Sequence, residues 1–403
     1  MPYRVPLAYN TFTDAERDAV SAVVETGRLT QGAEVEKFEA GFAAFNGTKY
    51  AIMVNSGSSA NLIGIEAIYY CSLLKPEITH GPLRQGDEAI ISGLSWPTTI
   101  TPLLNHGLQP VFCDISLQTL NMTVETVEAV RTPATRMVIA VPVLGNPDGL
   151  DELRDYCAHE RLILVEDACE SLGARTASGA LTGTFGLASA FSFYFSHHIS
   201  TVEGGAILTD SREVADLCYA LRSHGWTRDF KLNSIDLGRD VGEDIDPRFC
   251  FFLPGYNVRA TEINAAVGGV QLSKLTDMLT ERRRRAVARI DAVRRAGNRV
   301  TVPGAEIADR HSWMTFPLLF ENAEQKKAAQ SLLENLGVET RPIIVGNILR
   351  QPLVRALPIK ADQPDLPVCD AVFARGLMIG LSPFSDEESE ACVHEALRLA
   401  AQV

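Results

Sequence analysis

The feature that most constrains this chain is a repeated alternation of short apolar runs with helical patterns. Tyr50 to Val54, Ala89 to Ser92, Val111 to Ile115, Met137 to Val143 and Leu162 to Val165 each read as a strand, and the helix-period stretches Ala60 to Tyr70 and Leu150 to His159 lie among them. Strands that alternate with helices in this way build an α/β layer structure around a largely parallel sheet. In such sheets ligands sit beyond the carboxyl ends of the strands. The run at 162–165 leads directly into Glu166-Asp167, so a carboxylate is delivered to that edge.

Bulk composition narrows the function classes. The chain has 403 residues, 46% of them hydrophobic, which is enough for large cores and two domains. Lys and Arg total 37 against 50 Asp and Glu, a formal charge of −13, so a nucleic-acid surface is disfavoured while a local arginine patch for an anionic metabolite is not. No apolar span of membrane length and no signal-like leader is present, and cytoplasmic residence is the expectation. The eight cysteines include no CxxC pair and lie mostly in apolar periodic segments, which reads as buried free thiols and no metal centre.

Several stretches carry chemistry. Asn55-Ser56-Gly57-Ser58-Ser59 is a small-residue turn feeding a helix, suited to a phosphate or simply to an N-cap. Trp96 suits stacking on a planar ring or ordinary packing. The segment FSFYFSHHISTVEGG, Phe191 to Gly205, sets Ser192 before the adjacent imidazoles of His197 and His198, which exchange protons near neutral pH. RSHGWTRD, from 222 to 229, offers Arg222, His224 and Arg228 to a ligand, and Arg28 lies in an earlier glycine-flanked turn. After a charged segment at 238–247, GYNVRATEINAA sets Asn257 and Arg259 ahead of a helix, placed to serve a phosphate, including one on a neighbouring subunit. Arg282 to Arg285 run around a helix and are expected to be solvated or paired between subunits.

Taken in order, NSGSSAN, EDACESLG, FSFYFSHHISTVEGG and GYNVRATEINAA resemble the DegT/DnrJ/EryC1/StrS family of sugar aminotransferases across most of residues 11–400. The resemblance implies an aspartate-aminotransferase type I fold, a PLP-dependent transferase with a central mixed sheet flanked by helices and a smaller C-terminal α/β domain. Residues 1–270 would form the large cofactor-binding domain with its N-terminal arm, and 271–403 the smaller one, begun by a long helix. It implies pyridoxal 5'-phosphate or pyridoxamine 5'-phosphate as cofactor and a homodimer with shared sites. Asp167 matches the partner of the pyridine nitrogen, Gly57, Ser58 and Ser192 the phosphate positions, Trp96 the ring-stacking position, and Asn257 the phosphate contact from across the dimer. Glu170 falls near the cofactor face, where many members carry an amide, and Val202 replaces a glycine often found before the EGG segment.

His197 stands where the family has the lysine that anchors the cofactor covalently. An imidazole moves protons but cannot make that link. The substitution resembles the branch of PLP-dependent sugar 3-dehydratases in which this histidine is the base. That resemblance implies C3 deoxygenation of a nucleotide-linked 4-keto-6-deoxy sugar, with glutamate as amino donor. An iron-sulfur branch carries a clustered cysteine pattern that is absent here, so the cluster-free route is expected. Arg28, His198, His224 and Arg228 are candidate sugar-nucleotide contacts. An aminotransferase with an unusual histidine and a noncatalytic binding protein are the alternatives.

Overall fold

The computed structural model describes residues 3–402 apart from 233, 236–244 and 361, so most of the charged 238–247 segment lies outside the described residues. Seven strands form the main sheet: β1 (Tyr50–Val54), β2 (Glu88–Ser92), β3 (Gln109–Cys113), β4 (Thr135–Ala140), β5 (Ile163–Asp167), β6 (Ala188–Ser192) and β7 (Gly205–Thr209). Their spatial order is β1-β7-β6-β5-β4-β2-β3. The block from β3 to β6 is parallel, while β7 pairs antiparallel with both β6 and β1, which makes the sheet mixed. Helices cover both faces, so the strands are buried on both sides and read as continuous apolar runs.

The boundaries follow local chemistry. The strand read as 137–143 ends at Ala140, because Pro142 cannot donate to a ladder and Leu144 turns left-handed at φ 53°. Helix α1 (Asp14–Glu25) starts at a capping box between Thr13 and Glu16, and α2 (Ala33–Asn46) follows it. Helix α3 (Gly57–Leu74) begins earlier than the apolar pattern suggests, since the Ser56 hydroxyl accepts from the Ser59 N–H at 3.0 Å and caps the turn. Helix α4 (Pro97–Leu104) has proline at its first position.

A second sheet, of order β10-β11-β9-β8, contains β8 (Val300–Thr301), β9 (Thr315–Phe320), β10 (Thr340–Arg341) and β11 (Gly376–Gly380). All its pairings are antiparallel. The 35-residue helix Glu262–Ala296 packs its first half on α1 and α2, and its second half on the Glu387–Ala400 helix beside this sheet. Val5 joins the core of the second sheet and bridges to Val338. No described helix is long and apolar enough to cross a membrane.

The Arg282 to Arg285 run departs from its surface expectation. Arg282 and Arg285 are buried, as is Arg289, while Arg284 is exposed. Spacings of three and four residues place the buried ones on the same stripe as Ala286, Ile290 and Val293, facing the second core. Their charged heads are met by carbonyls and by Glu281 and Glu390.

Candidate active site

The site is built at the carboxyl edge of the parallel strands. Successive residues on β5 point to opposite faces, and this separates the Glu166-Asp167 pair into two jobs. Glu166 turns inward, accepting from the N–H groups of Gly183, Phe185 and Gly186 and from the Ser189 hydroxyl; burial nevertheless raises its pKa. It ties β5 to the segment entering β6. Asp167 turns the other way, and its Oδ2 accepts from Asn61 Nδ2 at 2.8 Å and Thr99 Oγ1 at 2.6 Å. Asn61 comes from α3 and Thr99 from α4, so two helices aim one carboxylate.

Those helices also supply the neighbouring features. Thr99 lies on the turn opened by Trp96, whose indole is 55% exposed beside the site. On α3 the first turn offers backbone N–H groups without intrahelical acceptors. Gly57 is required there: a Cβ would come within 2.5 Å of Ser192 Cβ and 3.0 Å of Ser192 Oγ and Cys169 Sγ. Ser58 Oγ donates to Thr98 Oγ1 at 2.9 Å, which links the α3 and α4 turns. Gly57, Ser58 and Ser192 thus lie together where the α3 turn meets the end of β6.

His197 lies in the loop after β6, which rests on the buried Phe193 and its edge contacts to Phe38 and Phe42 at 5.4 and 5.2 Å. Its Nδ1 is 2.7 Å from the Cys169 carbonyl oxygen. A carbonyl only accepts, so Nδ1 carries the hydrogen and Nε2 keeps a free lone pair. Burial lowers its pKa, against the opposing pull of the Cys169 carbonyl and Asp167. The tautomer and the direction of the shift both favour an uncharged ring with Nε2 available as an acceptor.

Glu170, three residues past Asp167, accepts from the Leu144 N–H at 2.9 Å. Burial raises its pKa to about 7, and the Asp167 charge adds to that against the Leu144 bond. A half-protonated carboxyl has both a donor and an acceptor, as an amide does.

The other sequence candidates divide. Arg28 and Arg228 both line a cavity of about 420 Å³, together with Lys231, Arg259, Tyr219 and Trp226 and the acidic Glu36 and Asp229. The Arg228 guanidinium lies 3.3 Å over the Trp226 ring, which stacks in turn on Phe251 at 5.5 Å. His224 is exposed, held at φ 65° by its N–H bond to the Tyr256 carbonyl, and sits edge-on to Trp226. Asn257 is exposed, its backbone bridged to Ser223. His198 is 2% exposed and points away from this surface, with Nε2 on the Ser312 carbonyl at 3.1 Å. Arg222, read from the sequence as a possible ligand contact, is 1% exposed and bonded to Glu39 and the Met53 carbonyl, a structural ion pair. Sequence reasoning missed Thr99 and the Cys169 carbonyl. Asn61 had a visible signal, as the last residue of NSGSSAN on the next turn of the same helix.

Comparison with known proteins agrees with this architecture. Residues 10–398 match the DegT/DnrJ/EryC1/StrS aminotransferase family. The chain is 37% identical over 348 residues to GDP-4-keto-6-deoxy-D-mannose 3-dehydratase of Escherichia coli O55:H7, covering 86% of this chain and 87% of that protein. It is 35% identical over 347 residues to the enzyme of the same name from Yersinia pseudotuberculosis, covering 86% of each. The structure of the E. coli enzyme with bound hydrated PLP superposes with a TM-score of 0.89 at 33% identity, over 98% of this chain and 100% of that one. A structure of GDP-4-keto-6-deoxymannose-3-dehydratase with a trapped PLP-glutamate geminal diamine gives 0.87 at 33% identity, with the same coverage. The fold is that of the type I PLP-dependent aminotransferases, and the chain belongs to the DegT/DnrJ/EryC1/StrS aminotransferase family.

Proposed function

We propose that this protein is a PLP-dependent 3-dehydratase that removes the C3 hydroxyl of a nucleotide-linked 4-keto-6-deoxy sugar, with glutamate as the amino donor. The observation that carries the reading is the geometry of His197, whose ring is held by the Cys169 carbonyl with Nε2 free, at the place where the family resemblance expects the anchoring lysine. The residues present suit the cofactor. At Gly57 the α3 turn approaches Ser192 more closely than any Cβ would allow, which sets the turn's N–H groups beside the Ser192 hydroxyl, a combination that favours a phosphate. Asp167, held by Asn61 and Thr99, would sit against a protonated pyridine nitrogen, and Trp96 would cover a ring face.

When bound, pyridoxamine phosphate supplies an amine for the C4 carbonyl and a conjugated ring that gives and receives an electron pair. The chain's part is proton handling. His197 takes a proton at Nε2 and returns it to the departing C3 oxygen, a base-then-acid role open to a ring whose other nitrogen is fixed. Glu170 offers a second donor and acceptor beside Asp167. The Arg28–Arg228 cavity, cationic and aromatic-walled, suits the diphosphate and base of a nucleotide, and His224 at its edge is a further contact. Buried within the fold, His198 would act on the substrate only through the His197 loop.

Under this reading two copies share their sites, with the exposed Asn257 serving the neighbour's phosphate and exposed Trp96, Tyr194, Phe195 and Val202 covered by the assembly. The test is anaerobic incubation with pyridoxamine phosphate and a panel of nucleotide-linked 4-keto-6-deoxy sugars, read by mass spectrometry. A product lacking one oxygen supports dehydration. An amino sugar identifies a transaminase, and no conversion across the panel identifies a binding protein.

A further inference from the structure

The buried arginines of the Glu262–Ala296 helix do not share their counter-charges evenly. Arg285 bonds to Glu281 and Glu390, and Arg289 to Glu390 and the Gly380 carbonyl. Arg282 is 5% exposed and, among the described residues, meets only carbonyl oxygens, those of Trp313, Met314 and Leu381. Three buried guanidinium groups thus face two carboxylates, and the uncompensated charge sits at Arg282.

That charge lies behind the His197 loop. Arg282 Nη1 donates to the Trp313 carbonyl and His198 accompanies it on the adjacent Ser312 carbonyl. From its other edge the same segment joins the turn that holds Glu170, with Ser312 N–H donating to Gly145 O and Met314 N–H to Leu144 O. Arg283 staples it further by donating to the His311 carbonyl. One backbone segment therefore connects the arginine, the His197 loop and the Glu170 turn.

We propose that Arg282 is a positioning residue whose uncompensated charge, behind the His197 loop, adds to burial in disfavouring the imidazolium form of His197. The consequence rests on the proposed role of His197, but the electrostatic claim stands without it. An interior cation opposes a second one, and at low effective dielectric that effect reaches beyond contact. The groups that act on His197 are Asp167 from β5, the Cys169 carbonyl from the turn after it, Tyr194 and His198 from its own loop, and, at longer range, Arg282 from the long helix. Burial and Arg282 favour the neutral ring, while Asp167 favours the imidazolium.

The experiment follows the imidazole resonances of His197 by NMR through a pH titration of the purified protein, assigned with His197→Asn, in wild type, Arg282→Lys, Arg282→Met and Glu390→Gln. R282M is expected to raise the His197 midpoint by about half a pH unit or more, and R282K to leave it near wild type. E390Q, which frees more positive charge in the same network, is expected to lower it. Opposite signs from two variants of one network cannot come from loosened packing, and E390Q keeps the test decisive if R282M does not fold. Equal midpoints in all folded variants, or shifts of one sign, overturn the proposal. If the midpoints move as stated while no sugar is dehydrated, the reading of Arg282 holds and that of the reaction fails.

Discussion

Replacing Glu170 by glutamine tests the electrostatics of the site without any substrate. The carboxyl moves from an ordinary value of 4.5 to about 7 in the folded chain. Such a shift corresponds to about 3 kcal/mol of differential stability between the two protonation states. The sign depends on which state holds the proton. Below the unfolded value both states are protonated and the shift has no effect. Between 4.5 and 7 the unfolded chain releases its proton while the folded chain keeps it, so wild-type stability falls as pH rises, and above about 7 the full penalty is present. Glutamine retains an oxygen for the Leu144 N–H and never ionises. Urea unfolding of the cofactor-free protein between pH 4.5 and 8.5, at fixed protein concentration, should show Glu170→Gln gaining on wild type by up to about 3 kcal/mol across that window. A difference that does not vary with pH, or that grows towards acid, would refute the reasoning.

Other perturbations probe the same geometry. Gly57→Ala puts a Cβ within 2.5 Å of Ser192 Cβ, and absorbance titration should show PLP binding at least about tenfold weaker; unchanged affinity would argue against a phosphate in this corner. Val202 is held at φ 71° in a turn fixed by Asn264, which donates to the Thr201 and Glu203 carbonyls. Val202→Gly should therefore stabilise the protein by about 1 kcal/mol in urea, with destabilisation as the contrary result. Arg228→Ala should raise KM for the sugar nucleotide about tenfold or more with kcat little changed; a lower kcat at constant KM would place Arg228 outside nucleotide binding.

Much of the architecture is readable where the chain obeys a period. Thr315–Phe320 and Ala188–Ser192 are strands because alternating or continuous apolar residues bounded by breakers leave little else, and Asp167 is marked by where the apolar run stops. The antiparallel return of β7 between β6 and β1 has no local signature, since β1 and β7 pair across about 155 residues of chain. The clamp on Asp167 is hidden for the same reason, Asn61 and Thr99 lying 106 and 68 residues away. His198 sits on an irregular loop, where no periodicity tells inward from outward. The arginine run misleads for a different reason: charge suggests solvent, but the stripe shared with Ala286 and Ile290 marks Arg282 and Arg289 as inward. Arginine tolerates such burial when carbonyls fill its donors.

The most direct test of the central claim is the rate and stoichiometry of the anaerobic reaction with pyridoxamine phosphate, glutamate and a nucleotide-linked 4-keto-6-deoxy sugar, compared between wild type and His197→Asn. The account predicts a 3-deoxy-4-keto product formed with one glutamate consumed per turnover, and a rate about 10²–10⁴-fold lower in the variant with cofactor still bound. Deoxygenation at an undiminished rate in His197→Asn, or conversion of the sugar to an amino sugar by the wild type, would contradict it.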